Sequence, residues 1–181
     1  MQLDLDTVYV CPKDYIWQYI KNVIPSDSID LCIYKPCDDI YTAKKTIWNT
    51  LSRLKQNALF CIECNARNLS YIINILQESK YDCYISCCVS KEMMAFYIFA
   101  FQDKFLHPFI QKVYYINNWS SDIPSILANM IDFGQNILVL GDSILPYVPA
   151  IKEMRRYVIA MGGDEIFIEI AVNSGLRKII L

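Results

Sequence analysis

Cysteine is the residue type in this chain with the widest chemical range, and there are eight: Cys11, Cys32, Cys37, Cys61, Cys64, Cys83, Cys87 and Cys88. Thiolates can hold metals, exchange disulfides or attack as nucleophiles. A zinc ribbon needs two well-spaced pairs carried in turns. Only Cys61 and Cys64 have CxxC spacing, within ALFCIEC; Cys83, Cys87 and Cys88 fall in YDCYISCCV, and both stretches read as strands. The expectation is free thiols packed as small hydrophobes in a reducing compartment, with no metal site and no thioredoxin-like role. His107 is the single histidine and precedes Pro108. No Ser or Cys nucleophile can be placed beside it, so it is read as a surface residue rather than a base.

Phosphate contacts require clustered cations. Lys44-Lys45, Arg53, Lys55, Arg155-Arg156 and Arg177-Lys178 are the candidates. Against them stands a balance of 17 basic and 19 acidic residues, net charge -2. A globally basic nucleic-acid binder is excluded, and a solvated face of mixed sign is expected. Phe105, Phe109, Tyr114, Tyr115 and Trp119 crowd one stretch, segment 105–119. They suit a protein contact surface, where aromatics are enriched, or a loop packed on the core.

These groups must be positioned by a core, and the chain has the material for one. Of its 181 residues 54% are hydrophobic and 20% charged, which excludes wholesale disorder and fits a single domain over 1–181. The longest apolar run, Met93–Phe101, is far short of the ~20 residues of a spanning helix. The opening MQLDLDTVYV lacks a basic n-region, so no signal peptide is expected and a cytoplasmic location is. Periodicity predicts strands at Thr7–Val10, Ile29–Tyr34, Ala58–Cys64, Ile137–Leu140 and Arg156–Met161. It predicts helices over Lys13–Val23, Thr42–Lys55 (with Thr46, Ile47, Trp48, Leu51 and Leu54 inward), Leu69–Gln77, Pro124–Asp132 and Pro146–Met154. Tyr81–Val89 and Met93–Phe101 read as a hairpin, and Glu165–Asn173 as helix or strand. Short apolar strands separated by helices imply an α/β fold: a mostly parallel central sheet with an antiparallel edge hairpin and helices on both faces.

The order of segments resembles the permuted DNA adenine-N6/cytosine-N4 amino-methyltransferases, from about Thr7 to Ala171. Ser28-Ile29-Asp30-Leu31 matches the lead into the family's catalytic tetrad, and Pro36 falls on the tetrad's first proline. Pro124-Ser125-Ile126-Leu127 stands where the family has a Lys-Pro-x-x-Leu helix. GQNILVLGDSILPYVPAIKEMRRYVIAMGGDEIFIEIA follows the layout of the family's cofactor region. The resemblance implies a Rossmann-like S-adenosylmethionine-dependent methyltransferase fold.

It also implies which residues should do chemistry, and there the chain departs. The family's tetrad opens with Asp, Asn or Ser, which accepts from the target amino group, and closes with an aromatic that stacks on the flipped base. Here it reads Lys35, Pro36, Cys37, Asp38. A lysine ammonium has three donors and no acceptor, and it opposes the positive charge developing on the nitrogen. Tyr34 and Tyr41 are the nearest aromatics. Val139 and Leu140 stand at the family's Asp-Pro, while Ser143 and Leu145 replace glycines of the cofactor turn. Gly141, Asp142 and Ser143 form a shifted remnant of that turn. Met161 stands near the ribose-binding acid, with Asp164 after Gly162-Gly163, and Cys11-Pro12 replaces Gly-Asp.

The leading expectation is a catalytically inactive, methyltransferase-like pseudoenzyme with no cofactor. It would be a structural or interaction subunit with a protein partner or a second copy, in a modification complex or a viral, phage or mobile-element assembly, including a virion. Nucleic-acid binding is a weak expectation, and no membrane is expected. The alternative is an active enzyme using S-adenosylmethionine, with Asp142 and Asp164 on the cofactor and Asp38 on the base. A third reading is an unrelated α/β binding domain of similar layout.

Overall fold

Apolar strands without polar alternation demand cover on both faces, and the central strands lie so covered. A computed structural model of the chain describes residues 7–36, 39–89, 94–102, 136–140, 157–163, 165–176 and 178–180. The elements are β1 (Thr7–Val10), a 3-10 turn (Lys13–Tyr15), α1 (Ile16–Val23), β2 (Ile29–Tyr34), α2 (Ile40–Leu51) and β3 (Leu54–Cys64). Then come α3 (Ala66–Glu78), β4 (Asp82–Val89), β5 (Met94–Phe101), β6 (Asn136–Leu140), β7 (Tyr157–Gly162), α4 (Glu165–Asn173) and β8 (Lys178–Ile180). The strands form one sheet in the order β4-β5-β3-β2-β6-β7-β1-β8. β5 runs antiparallel to both neighbours, and the remaining adjacent pairs are parallel. The expected architecture is therefore observed, with the hairpin at one edge.

One face is covered by α1, α2 and α3, which contribute Ile16, Ile20, Ile47, Ile72, Ile75 and Leu76 to a core with Phe60, Ile62, Ile98 and Leu138. On the other, Phe167 and Ala171 of α4 pack with Ile33, Cys61, Phe99 and Val139. Each fully buried Ile or Phe side chain contributes roughly 1.5–3 kcal/mol, so this double core, not the site, holds the fold. The Asn65 side chain accepts from the Asn68 N–H (3.1 Å) and caps α3. Glu165–Asn173 is helical, closed by Gly175 at φ 81° with Leu176 N–H donating to Ala171 O (3.2 Å).

Three expectations are corrected. α2 stops at Leu51, not Lys55, because Leu54 already pairs with Ile29 as the start of β3. The turn between them is held by the Arg53 guanidinium, which donates to Ser26 Oγ (2.5 Å) and the Lys21 carbonyl (3.1 Å). Trp48 is not inward. The buried stripe of α2 is Thr42, Ala43, Thr46, Ile47 and Thr50, and Trp48 lies beside it at 46% exposure with the Lys44 ammonium 4.4 Å from its ring. β8 is an addition to the expected strands, since three residues carry no readable period. The expected helices Pro124–Asp132 and Pro146–Met154 lie outside the described residues.

Asp30 ties the amino ends of three strands. Lys55 Nζ of β3 lies 2.9 Å from both Asp30 oxygens. The Asn136 N–H of β6 donates to Asp30 Oδ2 (2.8 Å), and its amide donates to Ser28 O (3.0 Å). Asp30→Ala leaves the Asn136 N–H and the ammonium without their acceptor. It is expected to lower the unfolding free energy by about 2–3 kcal/mol in urea titrations. Lys55→Met should cost less, because the lysine side chain is 43% exposed.

Candidate functional site

Open parallel sheets offer ligand sites beyond the carboxyl ends of strands where the strand order reverses. The reversal here lies between β2 and β6: the chain leaves β2 towards β3 and leaves β6 towards β7, in opposite directions. The two strands pair from Leu31↔Ile137 to Tyr34↔Leu140. Beyond that, the Lys35 N–H donates to the Leu140 carbonyl (3.3 Å). Lys35 thus stands against the carboxyl end of β6.

Lys35 has a half-exposed side chain, and its Nζ lies 3.5 Å from Glu63 Oε1. The Glu63 side chain is only 11% exposed, on β3 opposite Tyr97 of β5. A carboxylate so covered needs a cation nearby. Sequence reasoning misses Glu63, although it is the one charged residue in the otherwise apolar ALFCIEC. Pro36 follows half-buried, while Cys37 and Asp38 lie outside the described residues. Asp39, next to them, is the cap of α2. It accepts from the N–H groups of Tyr41 (3.2 Å) and Thr42 (3.0 Å) and from the Thr42 hydroxyl (2.5 Å). That hydroxyl bond is the main reason its carboxyl titrates below the usual range.

Neither nearby tyrosine supplies an aromatic platform beside Lys35. Tyr34 points to the opposite face, 3% exposed and stacked on Phe60 (centroids 6.5 Å, 21° between planes). Tyr41 is exposed on α2 with the Lys45 ammonium 4.2 Å from its ring. The same ammonium lies 4.3 Å from Trp17. Of the expected basic residues, Lys44 and Lys45 cover rings and Arg53 and Lys55 bind the protein's own groups, so these four do not gather into a free patch.

Gly141, Asp142, Ser143 and Asp164 lie outside the described residues, as do His107 and segment 105–119. The residues flanking the cofactor positions are described. Val139 and Leu140 are each 1% exposed, and they pack into opposite cores. Met161 is fully buried. A Cβ at Gly162 would meet the Phe167 ring at 2.5 Å, and one at Gly163 would strike the Cys11 carbonyl oxygen. The Cys11 N–H also donates to the Gly162 carbonyl (2.9 Å). These two glycines are therefore required by the packing of β1, β7 and α4, and none of Cys11, Val139, Leu140, Met161, Gly162 and Gly163 carries a carboxylate.

The CxxC thiols point apart: Cys61 belongs to the α4-side core and Cys64 to the other. Burial pushes the thiols of Cys11, Cys64 and Cys83 up to about 11, with Glu63 adding to the rise at Cys64 and Asp82 at Cys83. Cys32 and Cys61 are also raised well above the usual thiol range, again chiefly by burial.

No protein-family model matches the chain, and no curated protein matches it by sequence. Solved structures do. M1.HpyAVI superposes with a TM-score of 0.72 at 16% identity over 93% of this chain and 97% of that one. TTHA0409 of Thermus thermophilus, named as a DNA modification methylase, gives 0.68 at 10% identity over 91% and 92%. The PvuII cytosine-N4-specific DNA methyltransferase gives 0.65 at 7% identity over 97% and 90%. The first two are also known as S-adenosylmethionine complexes, with TM-scores of 0.67 and 0.66 to this chain. The chain has the Rossmann-like methyltransferase fold that these proteins share, as its segment order implied.

Thiols with raised pKa stay protonated at pH 8 and react slowly. In peptide-mapped alkylation of the native protein at that pH, exposed Cys87 is expected to label at least tenfold faster than Cys11, Cys61 or Cys64. The labelling of Cys64 should keep rising with pH towards about 11.

Proposed function

We propose that this chain keeps the methyltransferase fold as a scaffold without methyl-transfer activity, and serves as a structural or interaction subunit. The observation that carries the reading is Lys35. The segment order aligns it with the tetrad residue that must accept the target amino group's protons, an ammonium cannot accept them, and its Nζ lies 3.5 Å from Glu63. Such a charge also raises the barrier to forming a cationic nitrogen. The buried aliphatics Val139 and Leu140 and the packed glycines Gly162 and Gly163 support loss of the cofactor as well.

On this reading residues 1–181 act as one domain, and the partner is a protein: a second copy, an active methyltransferase subunit, or a component of a viral or phage assembly. Among the described residues no helix is long and apolar enough to cross a membrane. A cytoplasmic setting accords with six thiols described as free.

The test is incubation of the chain with tritium-methyl S-adenosylmethionine and unmethylated duplex DNA, alongside equilibrium dialysis of the labelled cofactor. No label above background in DNA and no retained cofactor at 100 µM protein is the expected outcome. Methylated adenine N6 or cytosine N4 would establish the active alternative, with Asp142 and Asp164 on the cofactor and Asp38 on the base.

A further inference from the structure

Among the described residues, β4 ends the sheet on one side and has β5 as its one neighbour. Their pairing runs without a bulge from Asp82↔Phe101 to Val89↔Met94. The strand reads DCYISCCV, with a single charge at its first position. Sheet proteins block edge-to-edge pairing with Lys, Pro, bulges or very short edge strands. β4 has none of these over eight residues, whereas β8 at the opposite edge is three residues long. Apolar side chains reach solvent beside this edge: Ile85 is 42% and Met94 50% exposed, and Cys87 is exposed as well.

We propose that β4 docks β4 of a second copy of this chain, antiparallel about a two-fold axis perpendicular to the sheet, so that the two sheets become one. The strand's own charge pattern selects this occupant. Two-fold antiparallel pairing sends the two Asp82 carboxylates to opposite ends of the ladder, so no like charges face each other. It brings Ile85 and Cys87 of both copies onto one face near the axis, where their apolar surface is mutually covered. The outward N–H and C=O groups of β4 gain partners in the same step. The inference rests on the interaction role proposed above for its purpose, but its test reads association rather than cofactor, so either can fail alone.

Light scattering on a sizing column, from 1 to 200 µM, is expected to show a mass rising from that of the 21.1 kDa chain towards twice that value. Hydrogen exchange at the two extremes should slow the β4 amides at high concentration. Ile85→Lys should raise the dissociation constant at least tenfold, while Val172→Lys, on exposed α4 surface, leaves it unchanged. A monomer throughout, a dimer whose β4 amides exchange as fast as the monomer's, or association indifferent to Ile85→Lys would each overturn the proposal. The exchange measurement uses the unaltered chain, so the proposal stays testable if a variant fails to fold.

Discussion

An ammonium and a covered carboxylate meet where the sheet reverses its strand order, and the site's character follows from that pair. Lys35 and Glu63 depend on each other. Without Lys35, a side chain only 11% exposed would carry a charge with little solvent to screen it. Without Glu63, the lysine would be a bare cation at the end of β2. On the proposed reading, the pair puts fixed, opposite charges where a base-gripping acceptor would stand. Changing Lys35 alone to an acceptor would set that acceptor beside the Glu63 carboxylate.

The stability of the fold lies elsewhere. The aliphatic and aromatic side chains of β2, β3, β5, β6 and β7 bury against helices on both faces, and Asp30 fastens the amino ends of β2, β3 and β6 far from the switch point. Even the glycines after β7 are explained by packing against Phe167 and Cys11. On the proposed reading, such a sheet keeps its architecture and uses its outer surface instead.

Much of the architecture is legible in the sequence because the strands are near-continuous apolar runs flanked by breakers: Ile29–Tyr34 after Pro25-Ser26-Asp27, and Ile137–Leu140 after Gly134. The Lys35 anomaly is legible because tetrad position and residue type can be compared letter by letter. What the letters hide depends on three dimensions. Leu51 and Leu54 have helical spacing yet belong to different elements, split by a turn that Arg53 holds through Ser26, 27 residues earlier. Trp48 looks like core by type but lies one step off the buried stripe. Glu63 sits inside a strand that reads as apolar, and its importance comes only from the neighbouring strand that brings Lys35 to it.

On the proposed reading the switch point, with Lys35 and Glu63 on one side and the buried aliphatics Val139 and Leu140 on the other, takes neither the target base nor the sulfonium cofactor. Ligand-observed NMR of S-adenosylmethionine carrying a carbon-13 methyl group tests it most directly, with the chain in twofold excess at 200 µM. A methyl resonance keeping the shift and linewidth of free cofactor is the expected result. Broadening of that resonance, with a through-space transfer to the Lys35 side chain, would contradict the claim.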